Sequence, residues 1–431
     1  MILQAISTNL IPEDISLAIP GNLGFFEFLI VFSFALHILF VNITVGSSVL
    51  AVFQEIKGMS KKNKQIDEVA HQLANHTSIM KSIAVVLGIA PLLLISVIYT
   101  QYFYSSTNLI GKAWLSLLGI LIVAFLILYL YKFSWEKMQG GKKGLHVLIG
   151  AVGSIMLLFV PLIFIVNDVS MLYPEMWAGS KGFFHSLTYY PQIWQRYIHF
   201  ILASFAGAGI YLYFWNRRLD RKVDNMSPDE MSSEEKKENK EIQKRAKKVG
   251  ATTVMITTAL QLVAGTALLM SFEKEIMMLY MGEDMLLTTL LMSSILLTLV
   301  LLFLVYRLGK TDSKGAFIGS VVVFLVILGV MGWMRHELRE SYLGDYLEAN
   351  PRTTEKVLPV LEEDGEVELL DEEEIDAKED AEATEEEADA DSDAAVEEDA
   401  EETTDEDADA EAEKADEDAD TDEEAEETTE A

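Results

Sequence analysis

The sequence predicts an all-α integral membrane protein: a bundle of about eight transmembrane helices with a disordered acidic C-terminal tail. Three observations carry this. Eight apolar stretches each approach the roughly 20 residues that span a bilayer. The segments between them alternate between strongly basic and almost free of Lys and Arg. The chain is 50% hydrophobic yet has a formal net charge of −34, so apolar and acidic residues must lie in different regions. Residues 1–344 form the expected membrane bundle and residues 345–431 the tail. The tail is mostly Asp, Glu, Ala and Thr with almost no aromatics, and cannot bury enough apolar surface to fold.

The apolar stretches run at 24–53, 80–103, 113–132, 147–167, 195–215, 250–272, 285–306 and 316–335. Lys57, Lys61, Lys62 and Lys64 follow the first, and Lys132, Lys137, Lys142 and Lys143 the third. Arg217, Arg218, Arg221 and Lys222 open a basic run after the fifth that ends at Lys248. Arg307, Lys310 and Lys314 follow the seventh. The opposite segments carry only Lys112, Lys181 and Lys274, with Arg196 at a helix start. The positive-inside rule puts the basic loops in the cytoplasm and both termini outside, in a cell inner (plasma) membrane. The first twenty residues lack Lys and Arg and include Glu13, Asp14 and Pro20, which is not a signal-peptide pattern. Ser-Pro-Asp-Glu and Ser-Ser-Glu-Glu within 223–248 predict a helix start leading into the sixth span.

The absence of cysteine excludes disulfides, thiolate metal sites, iron–sulfur clusters and covalent C-x-x-C-H haem attachment. No phosphate-binding loop, dinucleotide fingerprint or metalloprotease motif is present, and no nucleic-acid partner is expected.

An ionisable residue at membrane depth is a functional candidate by default. His37 lies midway along the first span and His199 near the outer start of the fifth. Imidazoles on two membrane helices suggest axial ligation of haem iron, which here must be non-covalent; haem b is the expected group. The plainer reading is a buried polar residue bonded to a neighbouring helix. His336 sits at the outer end of the eighth span and His185 in an outer loop. His71, His76 and His146 are expected at the cytoplasmic interface, in reach of water. Met270, Met331 and Met334 lie at outer helix ends as candidate second ligands, although methionines commonly fill gaps. Arg196, Arg335 and Arg339 suit haem propionates, or equally Glu337, Glu340 and lipid phosphate. Glu27 is a solitary carboxylate near the outer start of the first span. No Lys, Arg or Asp is expected at the centre of a span.

The run His37-Ile-Leu-Phe-Val-Asn-Ile-Thr44-Val-Gly46 resembles the first helix of the larger subunit of cytochrome bd quinol oxidases. Pro191-Gln-Ile-Trp-Gln-Arg-Tyr-Ile-His199 is similar to that family's segment ending in the low-spin haem b ligand, and Leu87-Gly-Ile-Ala90 and Ile165-Val-Asn167 with Pro174 add weaker similarity. The resemblance implies a divergent member in which His37 and His199 ligate haem. Four family features are missing. The stretch Ala113 to Tyr131 has no Glu or Asp where the family carries glutamates. The Gly-Arg-Gln-Pro-Trp signature is only echoed by Gly332-Trp-Met-Arg-His-Glu-Leu-Arg339. The long outer quinol loop is absent, and eight spans replace nine.

These observations lead to a membrane b-type cytochrome that transfers electrons on the outer side of a respiratory redox complex. Its expected partners are membrane lipid and a cytochrome c or other redox subunit, with a quinone as a further candidate. The tail, on the same side, would steer a basic cytochrome c or merely keep the protein soluble. The alternatives are a complete oxygen-reducing oxidase, and a transporter or assembly factor without cofactor.

Overall fold

A computed structural model describes Ile19, residues 21–227 and 230–349, Arg352, and residues 360–361 and 367–368. Of the tail expected to be disordered from residue 345, residues 345–349 instead complete the last long helix, and apart from the short pieces just named the rest lies outside the described residues. Val360–Leu361 and Val367–Glu368 form a minimal antiparallel pair with Val360 opposite Glu368.

The bundle opens with α1 (Leu23–Lys61), started by the Asn22 side chain accepting from the Phe25 N–H at 3.1 Å. It ends at Lys62, a left-handed residue with φ 47°. Asn63 caps α2 (Lys64–Ile98) in the same way. The chain breaks at Tyr99, forms α3 (Thr100–Leu109) and then descends as α4 (Gly111–Phe133). Next come α5 (Lys143–Met171), a 3-10 turn at Pro174–Gly179, α6 (Phe183–Tyr189) and α7 (Ile193–Asp224). The expected helix start before the sixth span is a capping box: Glu235 N–H donates to Ser232 Oγ, and Ser232 N–H to the Glu235 carboxylate. It opens α8 (Ser233–Leu269), followed by α9 (Lys274–Met278), a π-helical turn at Leu279–Glu283, α10 (Met285–Thr311) and α11 (Lys314–Ala349).

Eight of these helices, α1, α2, α4, α5, α7, α8, α10 and α11, are long and apolar enough to cross a membrane, matching the expected number. Their bounds differ from the apolar stretches for a physical reason. Helix α2 begins at Lys64, because Ile66, Val69, Ala70 and Leu73 keep one buried face running through its polar first half. Helix α8 likewise starts in basic sequence before its apolar part. Elsewhere the helices show apolar side chains outward: Leu115, Leu118, Leu126 and Phe133 on α4 are more than half exposed, as a lipid-facing surface requires.

The early start of α2 corrects two expectations. Lys81 is a fully buried cation well inside that helix, with its Nζ donating to the Phe125 carbonyl at 3.1 Å and lying over the Tyr129 ring at 3.2 Å. His76 and His146 are buried rather than solvated. His76 Nδ1 meets the Tyr211 hydroxyl at 2.8 Å. His146 is held between Glu55, at 2.7 Å from Nδ1, and the Tyr131 carbonyl, at 2.8 Å from Nε2. Inward-facing acceptors thus replaced the water on which the interfacial reading relied.

Helices α1 and α7 cross in direct backbone contact. A Cβ added at Gly46 would lie 2.0 Å from the Ser204 carbonyl oxygen, so no other residue fits there. At the same crossing Ser204 Oγ donates to Asn42 Oδ1 at 3.1 Å. Both helices run from the end opposite the basic loops toward the basic end, so they cross in parallel.

At the basic end one residue ties three helices. Asp312, left-handed at φ 46°, lies between α10 and α11. It pairs with Arg217 of α7, accepts from Lys247 of α8 at 2.7 Å and takes the Tyr213 hydroxyl. Burial pushes the Asp312 carboxyl up, but the Lys247 and Tyr213 hydrogen bonds and the Lys247 and Arg217 charges hold it below its usual value. A carboxyl depressed in the folded state stabilises above its unfolded pKa, about 3.9, and that stabilisation is lost as pH falls through the folded value. Asp312→Asn should therefore lower the melting temperature at pH 7, and the gap to wild type should close below about pH 4. A gap that persists at low pH would show that the staple is not electrostatic.

Candidate functional site

The α1/α7 crossing fixes where His37 and His199 stand. Each lies five residues before the contacting pair, His37 before Asn42 and His199 before Ser204. On parallel helices that puts both rings about 7.5 Å from the crossing, at one level. Five residues also rotate a side chain by about 140°, so both point away from the seam, toward opposite neighbours. The contacts agree. His37 Nδ1 lies 2.9 Å from the Ala84 carbonyl of α2, and a Cβ on Gly88 would sit 2.7 Å from its Cε1. His199 lies against Gly265 of α8, whose added Cβ would be 3.6 Å from Cε1.

Their chemistry differs usefully. A carbonyl can only accept, so His37 Nδ1 carries the proton and Nε2 keeps its lone pair. His199 Nδ1 is buried with no hydrogen-bond partner. An imidazole inside a membrane bundle without such a partner is costly unless something else engages the ring.

At the end opposite the basic loops, α5, α7 and α11 meet on one carboxylate. Asp168 accepts from Arg335 at 2.9 Å, Arg339 at 3.0 Å and Arg196 at 3.4 Å. Three guanidiniums share one carboxylate, and Asp168 and Arg339 are both buried. Arg335 is a third exposed and stacks over Phe34 at 4.3 Å. Arg196 also donates to Gln192 Oε1 at 2.8 Å, and Gln192 Nε2 donates to Tyr173 at 2.6 Å and Tyr342 at 2.7 Å. Gln192 holds a left-handed backbone, φ 67°, which for a non-glycine residue marks local strain.

His336, 4% exposed, directly follows Arg335 and precedes Arg339 by one turn, yet belongs to a second cluster. Its Nδ1 lies 3.4 Å from the Tyr99 hydroxyl, which donates to Glu340. Burial keeps the Tyr99 phenol well above its usual range, and Glu340 adds to the rise against the pull of Arg339, so the hydroxyl stays a donor. Arg352 grips Glu340 with bonds of 2.7 and 3.0 Å and reaches Glu27 at 3.6 Å.

Residues 27–277 match the family model described as cytochrome bd terminal oxidase subunit I. The chain belongs to that family. The match covers more than half of the chain and includes His37, Asp168, Arg196 and His199 but not His336, Arg335 or Arg339. The fold is also that of the bd oxidase structure from Geobacillus thermodenitrificans, with a TM-score of 0.60 at 12% identity over 77% of this chain and 90% of that one. No curated protein sequence matches. A cytochrome bd subunit I-like chain is a membrane protein of haem-based electron transfer or oxygen reduction, and this membership displaces the cofactor-free transporter alternative.

The residues present fit a haem: an orphaned buried imidazole nitrogen at His199, a carbonyl-oriented imidazole at His37, and an excess of guanidinium around Asp168 that includes Arg196, three residues before His199. Sequence reasoning found the histidines and arginines but missed Asp168, Gln192 and Tyr99. Asp168 was visible as an acid at the end of an apolar run, directly after Asn167. Its three partners come from segments far apart in sequence, and only the fold joins them.

Removing a buried partner from such a cluster leaves uncompensated charge, at a cost of about 3–5 kcal/mol. Asp168→Asn should sharply reduce the yield of folded protein in detergent, and Asp168→Glu should recover part of it. Wild-type yield from the Asn variant would mean that water already screens the arginines.

Proposed function

We propose that this protein is a b-type membrane cytochrome that carries electrons on the extracytoplasmic side of a respiratory complex, to or from a cytochrome c partner. The observation that carries the reading is the pair of imidazoles at one level. His37 has Nε2 open because Ala84 holds its other nitrogen, and His199 has a buried nitrogen with no partner. Facing opposite sides of the α1/α7 pair, they would serve two separate groups rather than one. Haem b, when bound, supplies a one-electron couple whose potential depends on axial ligand and burial. The chain's own residues do the rest. Ala84 orients His37, Gly88 leaves room for its ring, and Arg196 and Arg335 lend positive charge to propionates, with Asp168 holding both in place. His336, committed to Tyr99 and near two glutamates, suits a different ligand.

The basic loops all lie at one end of the bundle, which supports a plasma-membrane orientation with both termini outside. The acidic tail would then face a basic electron carrier and raise its encounter rate. A quinone remains the alternative electron donor. A full oxygen-reducing oxidase is the second reading, favoured by family membership; the lack of any carboxylate on α4 between Ala113 and Tyr131 weighs against it.

A dithionite-reduced minus air-oxidised spectrum with pyridine haemochrome quantitation is the decisive measurement. The expected result is a b-type α-band that His199→Ala removes or greatly weakens. Carbon monoxide binding with three haems per chain would move the function to the oxidase, and no haem in haem-supplied cells would overturn the reading.

Electron exchange with a basic cytochrome c should slow severalfold when residues 353–431 are removed, and the slowing should vanish above about 0.5 M salt, where the screening length falls to a few ångströms. Equal rates for both forms at low salt would leave the tail without a steering role.

A further inference from the structure

We propose that Glu27, His336 and Glu340 form a divalent transition-metal site at the end of the bundle opposite the basic loops, held closed by Arg352 when no metal is bound. One oxygen of each glutamate and one ring nitrogen of His336 all lie within 4.8 Å of one another. The three come from the first turns of α1 and one late stretch of α11, so the packing of two helices, not a loose loop, brings them together. Two carboxylates and an imidazole are a donor set for ions such as Mn2+, Fe2+ or Zn2+. Bonds of about 2.0–2.2 Å need the ligand atoms near 3.3 Å apart, which rotamer adjustment of the glutamates supplies.

Two further observations point to a cation here. His336 is 4% exposed, and its ring nitrogen makes only a long 3.4 Å contact to the Tyr99 hydroxyl. A metal ion would engage the imidazole more strongly than that contact does. The charge is also unbalanced. Arg352 brings a single positive charge to two carboxylates, with Glu337 close enough to repel both. A divalent ion in place of the guanidinium would neutralise the pair in full. Arg352 and the metal are therefore alternative occupants of one site. Entry of the metal frees the Arg352 guanidinium from Glu340.

The test uses the full-length protein, stripped with chelator and titrated with Mn2+, and followed by electron paramagnetic resonance with electron-spin-echo detection of nitrogen coupling. Residues 345–431 contain no histidine, so manganese bound by the tail shows oxygen ligands only. The expected result is one tighter ion per chain with a nitrogen coupling. His336→Gln should abolish the coupling. Glu27→Gln, at the less buried edge, should weaken the tight ion at least tenfold while the protein still elutes as wild type on size exclusion. Arg352→Gln should tighten it severalfold, since the competing cation is gone. Oxygen-only signals, a coupling that survives His336→Gln, or no ion tighter than the tail's would overturn the site. An Arg352→Gln variant that binds no better would overturn the displacement. Haemochrome content of the same samples separates this outcome from failure of the haem reading.

Discussion

One carboxylate organises the end of the bundle opposite the basic loops. Asp168 is buried among three arginines from two other helices, and without it each guanidinium would face a medium of low dielectric with its charge uncompensated. The cost of that arrangement explains the features around it. Gln192 accepts a strained backbone so that its amide can take up Arg196 and both tyrosine hydroxyls. Arg339 leans on the Tyr99 ring at 5.0 Å, and Arg335 spreads over Phe34. A positive excess survives all of this, and that excess is what an anionic cofactor group would meet. The same reasoning separates the two clusters at this end: arginines outnumber the acid at Asp168, while acids outnumber the arginine at Glu27 and Glu340.

The imidazoles do different work from these charges. His37 is oriented by a backbone carbonyl, a contact that costs the protein no buried ion. His146, at the other end, spends both nitrogens on Glu55 and Tyr131 and is a fully satisfied structural residue. The contrast between a histidine with everything paired and one with a nitrogen left over is the clearest local distinction between scaffold and site in this molecule.

Much of this was legible in the sequence. Hydropathy and the alternation of basic loops located eight spans, because both follow from the bilayer's thickness and charge asymmetry. The segments around His37 and His199 carried the family. Other features were hidden for physical reasons. Helix ends ran beyond the apolar windows, since a single buried face such as Ile66, Val69 and Leu73 is enough to extend a helix through polar sequence. Lys81 then fell inside a helix, where an aromatic face and a carbonyl take the place of water. Asp168 and Tyr99 depend on partners 28 to 241 residues away, and no local pattern encodes those.

The parallel crossing of α1 and α7 has a consequence for biogenesis. Ser204 reaches Asn42 across 162 residues of chain, and the helices between them must be made first. At about 5–20 residues per second, α1 waits roughly 10–30 s after its own synthesis for its mate. During that time Asn42, Thr44, Ser47 and Ser48, all buried in the finished bundle, have only lipid, the earlier helices or the insertion machinery to cover them. The seam from which both histidines are aimed therefore closes late. Any cofactor that depends on their final geometry must arrive after the fifth span is in place, so a chain cut short before Ser204 would be inserted in the membrane yet unable to mature.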